Sequence, residues 1–256
     1  MDIINELKRE SVKKLLEKNE RLDGRALDEY RRIEVHTKVF ENSEGSAHVR
    51  IGKTQVLGAV KFGIAAPFAD KPDEGVLSVG AELAPLGSFM FEPGPPSPSS
   101  IELARVTDRG IRSAEIIDTK SFFLEAGKAL ALYLDIYVID NDGNLFDAAS
   151  LAGMAALLNT KMPKVEEGKI IPGEYTGQLP VAKKAVSCTF AKIGEKFLLD
   201  PSLDEMRGMD TRLTVSTLPD CVCAMQKGEW GALKEKEIVE LIELSFKKGE
   251  ELRSLI

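Results

Sequence analysis

The 256-residue sequence is poor in the side chains on which nucleophilic hydrolases depend. It contains only 2 histidines. His36 and His48 stand in strand-like runs, and no G-x-S-x-G or comparable nucleophile motif accompanies them. Both are therefore predicted to be ordinary sheet residues. The sequence also has no glycine-rich loop followed by lysine, so a P-loop that cradles nucleotide phosphates is excluded.

Cysteine is equally scarce. The 3 cysteines are Cys188, Cys221 and Cys223, an odd number in which one C-x-C pair has no second Cys/His pair to complete a zinc site. All three lie in apolar runs, which predicts reduced, buried thiols in a cytoplasmic protein. We expect neither a metal nor a cofactor.

Long hydrophobic runs are missing as well. The first ten residues are charged from position 2 onward, and the most apolar segment, "KALALYLDIYVID", carries Asp135 in its middle and is too short to span a bilayer. The net charge of −7 argues against a surface that coats nucleic acid, although it permits a local basic patch. A hydrophobic content of 43% suits a full core.

Hydrophobic periodicity predicts an α+β fold of two subdomains, each with strands followed by a helix. The predicted organisation is an N-terminal amphipathic helix in 1–20, a first subdomain in 21–163, a connector in 164–180 and a second subdomain in 181–256. In the amphipathic helix, Ile4, Leu7, Leu15 and Leu16 supply the apolar positions. The segment 92–100, with four prolines in nine residues, is predicted as a loop. Ser99 or Ser100 is expected to cap a helix over 101–117.

That helix carries a row of arginines. Arg105, Arg109 and Arg112 share one side at spacing i, i+4, i+7, and a ladder of guanidinium groups suits successive phosphates. The alternative is a solvated face in which Arg112 pairs with Asp108 and Arg105 pairs with Glu102.

The stretch "LLDPSLDEMRGMDTRL", residues 198–213, concentrates four carboxylates. Asp200, Asp204, Glu205 and Asp210 follow an apolar run. Carboxylates held close together can bind a metal or transfer a proton. A polar turn between strands also collects aspartate for reasons of backbone geometry. Spacing alone favours the turn.

Five stretches together resemble the RNase PH family over nearly the whole chain. They are "RLDGRALDEYRRIEV", "GKTQVLGAVK", "IELARVTDRGIR", "DGNLFDAASLAGMAALL" and "LLDPSLDEMRGMDTRLTVS". Within the family the wording "ELARVTDRG" and the N-terminal helix are most similar to the non-catalytic RNase PH-like subunit of the archaeal exosome. The resemblance implies the α+β RNase PH fold and a role in 3′-to-5′ phosphorolysis of RNA.

The resemblance also implies that this chain lacks the catalytic groups. Active members carry Ser or Thr and then Arg at the start of the helix after a D-G turn, and these hold phosphate. Leu145 and Phe146 stand at the matching positions. Active members also carry an Asp and, six residues later, a second acid. Asp200 matches the first, whereas Met206 stands at the second. A gap in the alignment would place Asp204 there instead. Phe146, Asp200 and Met206 are accordingly expected to mark the remnant of a site.

The partners that the resemblance implies are a catalytic RNase PH-like subunit, RNA-binding cap proteins and the 3′ end of single-stranded RNA. Three copies of this chain would alternate with three catalytic subunits in a six-membered ring. Arg105 and Arg109 would contact RNA, and helical spacing extends this expectation to Arg112. Three alternatives remain open. They are an active phosphorolytic exoribonuclease using Asp200 and Asp204, a purely structural scaffold, and a carboxylate–metal hydrolase.

Overall fold

A computed structural model of the chain describes the backbone of residues 2–256 and the side chains of residues 10–256. The helices are α1 Asp2–Glu17, α2 Pro98–Arg112, α3 Leu145–Leu158, α4 Leu203–Gly208 and α5 Glu235–Arg253. The strands are β1 Ile33–Thr37, β2 Gly45–Ile51, β3 Thr54–Ala65, β4 Val76–Leu83, β5 Phe123–Glu125, β6 Lys128–Asp140, β7 Lys161–Glu166, β8 Lys169–Gln178, β9 Val186–Ile193, β10 Lys196–Leu199, β11 Thr211–Thr217 and β12 Val222–Gly228.

Two layers of strands, one mixed and one antiparallel, enclose a layer of helices. The first sheet has the order β1-β2-β3-β6-β4, with β5 paired to β6; only the β4–β6 pairing is parallel. The second sheet has the order β10-β9-β11-β12. Helix α3 packs against β2, β3 and β9, and α2 packs against β4 and β12, so both helices lie between the sheets. Helix α5 covers the other side of the second sheet through β9 and β11.

Helix α3 is buried all round because its sequence, "LFDAASLAGMAALL", consists mainly of small and apolar residues. Small residues permit close packing on the first sheet. A side chain at Gly58 of β3 would place its Cβ 2.7 Å from the carbonyl oxygen of Ala152. A central helix that contacts both sheets joins the two halves of the chain through one hydrophobic core.

The N-terminal helix packs against the β9–β10 end of the second sheet and against α4. Val12 and Leu16 are buried against Ile193 and Leu198, and Leu15 is half-buried. The side chains of Ile4 and Leu7, which the sequence also assigned to the apolar face, lie outside the described residues. Within the described residues no helix is long and apolar enough to cross a membrane.

The local structure differs from the sequence predictions at two places. The predicted connector contains the hairpin β7–β8, because the runs "KMPKVE" and "KIIPGEYTGQ" pair around the turn at Glu167 and Gly168. Helix α2 begins three residues earlier than predicted and ends at Arg112, five residues earlier. Its N-cap is Ser97, whose side chain accepts the Ser100 N–H, and Pro98 occupies the first turn, where no N–H partner is needed.

One cysteine also differs from its predicted environment. Cys188 is buried, as expected, but Cys221 is exposed and Cys223 is half-buried. Cys221 lies in the turn that precedes β12, where Leu218 donates its N–H to the Cys221 carbonyl. An apolar neighbourhood in sequence did not bury this thiol because turns lie at the surface.

Candidate nucleic-acid interface

Helix α2 separates a buried face from a face that lines a groove. Leu103, Val106 and Ile111 are buried. Arg105 and Arg109 lie on the side toward β12, along a groove of about 750 Å³. Its other lining residues include Thr214 and Ser216 of β11 and Ala224, Met225 and Gln226 of β12. One wall of the groove is therefore cationic, and the opposite wall is of mixed polarity.

Arg105 and Arg109 are exposed, and neither guanidinium forms an ion pair or a hydrogen bond with any of the described residues. The ion pair between Arg105 and Glu102 that the sequence offered as an alternative is not formed. Glu102 instead accepts a hydrogen bond from Nη2 of Arg212, at 2.5 Å. The two guanidiniums of this arginine pair, one helical turn apart, keep their donors available for an external anion.

Arg112 has a different environment. Its Nε and Nη2 atoms donate to the two carboxylate oxygens of Asp108 at 3.0 and 2.6 Å, and Nη2 also donates to the Leu77 carbonyl at 2.9 Å. The hydrogen bonds that Arg112 donates to Asp108 raise the pKa of Arg112. Arg112 lines a separate groove, beside Glu74 and Thr119. Arg105 and Arg109 thus line one groove. Arg112 lines another groove and forms the ion pair with Asp108 that the sequence offered as an alternative.

The start of α3 is occupied by an aromatic ring and a buried arginine. Phe146 is 6% exposed, and the guanidinium carbon of Arg212 lies 3.9 Å from its ring centroid. Arg212 is also buried, and its Nε atom has no hydrogen-bond partner among the described residues. Sequence reasoning missed Arg212. The only available signal was a lone arginine in the otherwise uncharged strand "TRLTVST".

Asp200 is the centre of a buried ion-pair network. The residue adopts the left-handed conformation, with φ of 50°, and is fully buried. Arg31 donates from Nε to Oδ2 and from Nη2 to Oδ1, both at 2.8 Å, and its backbone N–H donates at 2.9 Å. Nη1 of Arg25 donates to Oδ2 at 3.0 Å, and Nδ2 of Asn144 donates to Oδ1 at 2.8 Å. Although burial would raise the pKa of Asp200, these hydrogen bonds and the charge of Arg31 hold it below its usual value.

The remaining carboxylates of this stretch are also engaged by the protein. Glu205 forms a buried bidentate pair with Arg21, at 2.9 and 2.7 Å. Asp204 lies 3.4 Å from Nη1 of Arg207, and Asp210 accepts the Gly194 N–H at 2.7 Å. The segment therefore anchors the N-terminal arginines to the second half of the chain. No group of three or more His, Cys, Asp or Glu in the described part of the chain is placed to hold a metal ion.

Matches to known proteins identify the family. The RNase PH family model described as "3′ exoribonuclease family, domain 1" matches residues 29–163. The model of the second domain of this family, described as "3′ exoribonuclease family, domain 2", matches residues 185–248. The chain belongs to the RNase PH family.

Curated relatives match along the whole length. "Exosome complex component Rrp42" of Thermococcus gammatolerans is 44% identical, over 100% of this chain and 96% of the relative. The protein of the same name from Archaeoglobus fulgidus is 46% identical, over 98% of this chain and 96% of the relative. The family resemblance drawn from the sequence is thereby confirmed.

Solved structures have the same fold. A chain of the "archaeoglobus fulgidus exosome with RNA bound to the active site" matches with a TM-score of 0.91 and 45% identity, over 98% of each chain. A chain of the "Archaeal exosome core" matches with a TM-score of 0.88 and 44% identity, over 98% of this chain and 97% of that one. Rice Rrp46 matches with a TM-score of 0.68 over 91% of this chain and 97% of that one. At 18% identity, this match shows the fold alone. The predicted α+β RNase PH fold is confirmed.

The positions that the RNase PH resemblance marked as a lost site lie close together in space. Met206 accepts the backbone N–H of Asn144 through its sulfur at 3.1 Å, and Asn144 also contacts Asp200. Asn144 immediately precedes the start of α3, where Phe146 lies. Sequence reasoning did not identify Arg21, Arg25, Arg31 or Asn144, although the run "RLDGRALDEYRR" held the signal of several arginines near acidic residues.

A second buried carboxylate adjoins this network. Asp147 is fully enclosed and accepts hydrogen bonds from Tyr30, from Asn144 and from both the backbone and the hydroxyl of Thr189, at 2.7–3.0 Å. Burial outweighs these four donors and raises the pKa of Asp147 to about 6. Asp147 connects β9, α3 and the segment after the first helix, so its role is to hold these elements together.

Proposed function

We propose that this chain is a non-catalytic subunit of an archaeal exosome core, a complex that degrades RNA from the 3′ end by phosphorolysis. The catalytic groups come from an RNase PH-like partner, whose active site this chain completes and supplies with RNA. Support comes from full-length relatives named as an exosome component at 41–46% identity and from the related exosome structure with RNA bound to its active site.

The chemistry of the site supports the absence of catalysis. Phosphorolysis brings together two anions, and a positive group must therefore hold the attacking phosphate. Phe146 offers no donor, and the adjacent Arg212 is already neutralised by Glu102. The Asp200 carboxylate is surrounded by Arg31, Arg25 and Asn144 and has no access to solvent. Neither group is available to a substrate.

The arginine pair on α2 carries the proposed RNA contact. Arg105 and Arg109 are exposed, lie one turn apart and are not neutralised by any carboxylate of the described residues. Exposed guanidinium groups without a carboxylate partner can bind successive phosphates of a single RNA strand. Arg112, which the sequence included, does not share this property because its Nε and Nη2 atoms donate to Asp108 and Leu77. We therefore assign RNA binding to Arg105 and Arg109.

The assembly we propose is a ring of three copies of this chain and three catalytic subunits, with RNA-binding cap proteins on one face. An exposed apolar segment after β4 supports a subunit contact. Leu86, Phe89 and Met90 are 76%, 78% and 54% exposed, and a patch of this kind is typical of an interaction surface.

The decisive experiment is a phosphorolysis assay. The purified chain is incubated with a 3′-single-stranded RNA, inorganic phosphate and Mg²⁺, and released nucleoside diphosphate is measured with and without the catalytic partner. We expect no release by the chain alone and release when the partner is added. Substantial release by the chain alone would show that it is itself an active exoribonuclease, and phosphate-independent cleavage would show a metal-dependent hydrolase.

A second experiment distinguishes RNA anchoring from a scaffold role. The reconstituted assembly is compared as wild type, as Arg105→Glu/Arg109→Glu and as Arg112→Gln. We expect the double variant to bind RNA at least about ten-fold more weakly, because two phosphate contacts become repulsive, and the Arg112 variant to bind normally. Normal RNA binding and degradation by the double variant would instead establish a purely structural role.

A further inference from the structure

The only two histidines of the sequence face each other across adjacent strands. His36 of β1 and His48 of β2 are direct partners in the antiparallel register, although twelve residues separate them along the chain. Their ring centroids lie 6.2 Å apart, and the ring planes are inclined by 23°. Neither side chain takes part in the proposed RNA contact.

The register shows how closely the two side chains are held. Lys38 donates its N–H to the Ser46 carbonyl and Gly52 donates to the Arg32 carbonyl. These pairs lie two and four residues from the His36–His48 pair, which therefore has the hydrogen-bonded geometry with a Cα separation of about 5.5 Å. Both rings project from the same face of the sheet.

That face lies opposite the core and is open to solvent. The alternate residues Val35, Val49 and Ala47 point into the core, whereas His36 is exposed and His48 is half-buried. β1 is the edge strand of the first sheet, so an ion can approach the pair from the open side of the sheet.

The spacing suits two nitrogen ligands on one ion. A metal–nitrogen distance of about 2.0–2.1 Å, with about 1 Å more to each ring centre, puts the centroids of two imidazoles on one tetrahedral ion about 5 Å apart. The observed 6.2 Å exceeds this by roughly 1 Å, which a rotation about χ1 or χ2 of one histidine removes. No movement of the backbone is needed.

The geometry points to a binding site for one late first-row divalent ion, Zn²⁺, Ni²⁺ or Cu²⁺, held by His36 and His48. Imidazole nitrogen is a preferred ligand of these ions, and Mg²⁺ and Ca²⁺ prefer oxygen. Water completes the coordination, because no third His, Cys, Asp or Glu of the described residues converges on the pair. The site lies on the first sheet, away from the groove between α2 and β12, and is independent of the proposed function.

The nearby charges set the expected strength of the site. Glu34 lies two residues before His36 on the same face and is paired with Arg32 at 3.0 Å. Arg50, directly opposite Glu34, is exposed and places a positive charge two residues from His48. Removing the charge of Arg50 should strengthen binding of a cation without removing a ligand, and an Arg50→Gln variant therefore serves as a matched control.

The test is a Zn²⁺ titration of the full chain without any histidine tag. With only two histidines in the sequence, a spectrum of the imidazole C–H groups contains two sets of signals. We expect both to move together and saturate at one ion per chain. His36→Gln and His48→Gln should each weaken binding at least about ten-fold, since chelation is lost, and Arg50→Gln should bind Zn²⁺ at least as tightly as wild type.

Two results would overturn the site. One is movement of only one imidazole, or of neither, on addition of Zn²⁺. The other is equal Zn²⁺ affinity in wild type and in the His36→Gln/His48→Gln double variant, which would locate binding elsewhere on the chain. Thermal melting of each variant confirms that it is folded, as expected for substitutions on an outward face of the sheet.

Discussion

Arg31 holds Asp200 with two parallel hydrogen bonds, from Nε to Oδ2 and from Nη2 to Oδ1, each 2.8 Å long. This fork joins a residue that precedes β1 to the end of β10, 169 positions away in sequence. Removing either partner of such a buried pair strongly destabilises the folded state, because the other partner is left as an uncompensated buried charge. The acidic segment therefore acts as a structural connection.

Asp200→Asn should destabilise the protein by about 3–5 kcal/mol. Asparagine tolerates the left-handed backbone conformation of this position, so the loss comes from the uncompensated charges of Arg31 and Arg25. Denaturant unfolding measures the change. Asp204→Asn, in the same segment but beside Arg207 in a half-exposed pair, should cost less than about 1 kcal/mol. Equal effects of the two variants would contradict the structural role of Asp200.

Asp147 predicts a specific pH dependence of stability. Its folded pKa of about 6 lies above the ordinary value of 3.8, so the folded state binds the proton more tightly than the unfolded state. The contribution of this group to stability is therefore largest at about pH 4 and below, and declines as pH rises to about 6. The two pKa values differ by roughly two units, which corresponds to about 3 kcal/mol.

The comparison of wild type with Asp147→Asn isolates this effect. The variant loses hydrogen bonds at every pH, but only the wild type carries the cost of a buried carboxylate at pH 7. The loss of unfolding free energy in Asp147→Asn should thus be smaller at pH 7 than at pH 4, by up to about 3 kcal/mol. A loss that grows with pH would mean that the folded pKa of Asp147 is depressed.

Phe146→Arg should fail to restore a phosphate site and should destabilise the fold by more than about 2 kcal/mol. The new guanidinium would replace a ring that lies 3.9 Å from the buried Arg212. Among the described residues, Glu102 is the single carboxylate paired with Arg212. Phe146→Leu is the control, since it keeps an apolar contact and loses mainly the cation–π interaction, about 1–2 kcal/mol. Thermal unfolding and the phosphorolysis assay of the chain alone check both variants.

The salt dependence of RNA binding should identify which arginines contact phosphate. For single strands each neutralised phosphate contributes about 0.7 to the slope of log affinity against log salt. In the reconstituted assembly, Arg105→Gln/Arg109→Gln should therefore reduce the slope by about 1.4. Arg112→Gln should leave it nearly unchanged because its guanidinium is held by Asp108. An equal reduction in both variants would assign a phosphate contact to Arg112 as well.

Several features of this fold could be predicted from local patterns. Hydrophobic periodicity predicted strands in general and a helix over 101–117, most of which lies in α2. These succeeded because a single face of each element is buried, and a buried face has a period that the sequence displays. Hairpin β7–β8 was missed, since more than half of its residues are exposed and it contains two prolines and two glycines. Such a composition also fits a connector.

The site was only partly predictable for a related reason. Helical spacing grouped Arg105 with Arg109, which share one groove, but it also included Arg112 and offered Glu102 as a partner of Arg105. Spacing along one helix cannot show that Arg212, on a strand 110 residues away, takes Glu102 instead. Which arginine remains free depends on contacts between elements that are distant in sequence.

The sequence by itself determined the family, the strand-and-helix order and the absence of an arginine at the start of α3, because these depend on residue identity and local pattern. Only the tertiary structure decided the state of each charge. It enclosed Asp200 and Glu205 between N-terminal arginines, left Arg105 and Arg109 exposed, and brought His36 opposite His48. The physical reason is that the behaviour of an ionisable group depends on its burial and its nearest partners, and packing brings those partners from remote parts of the chain.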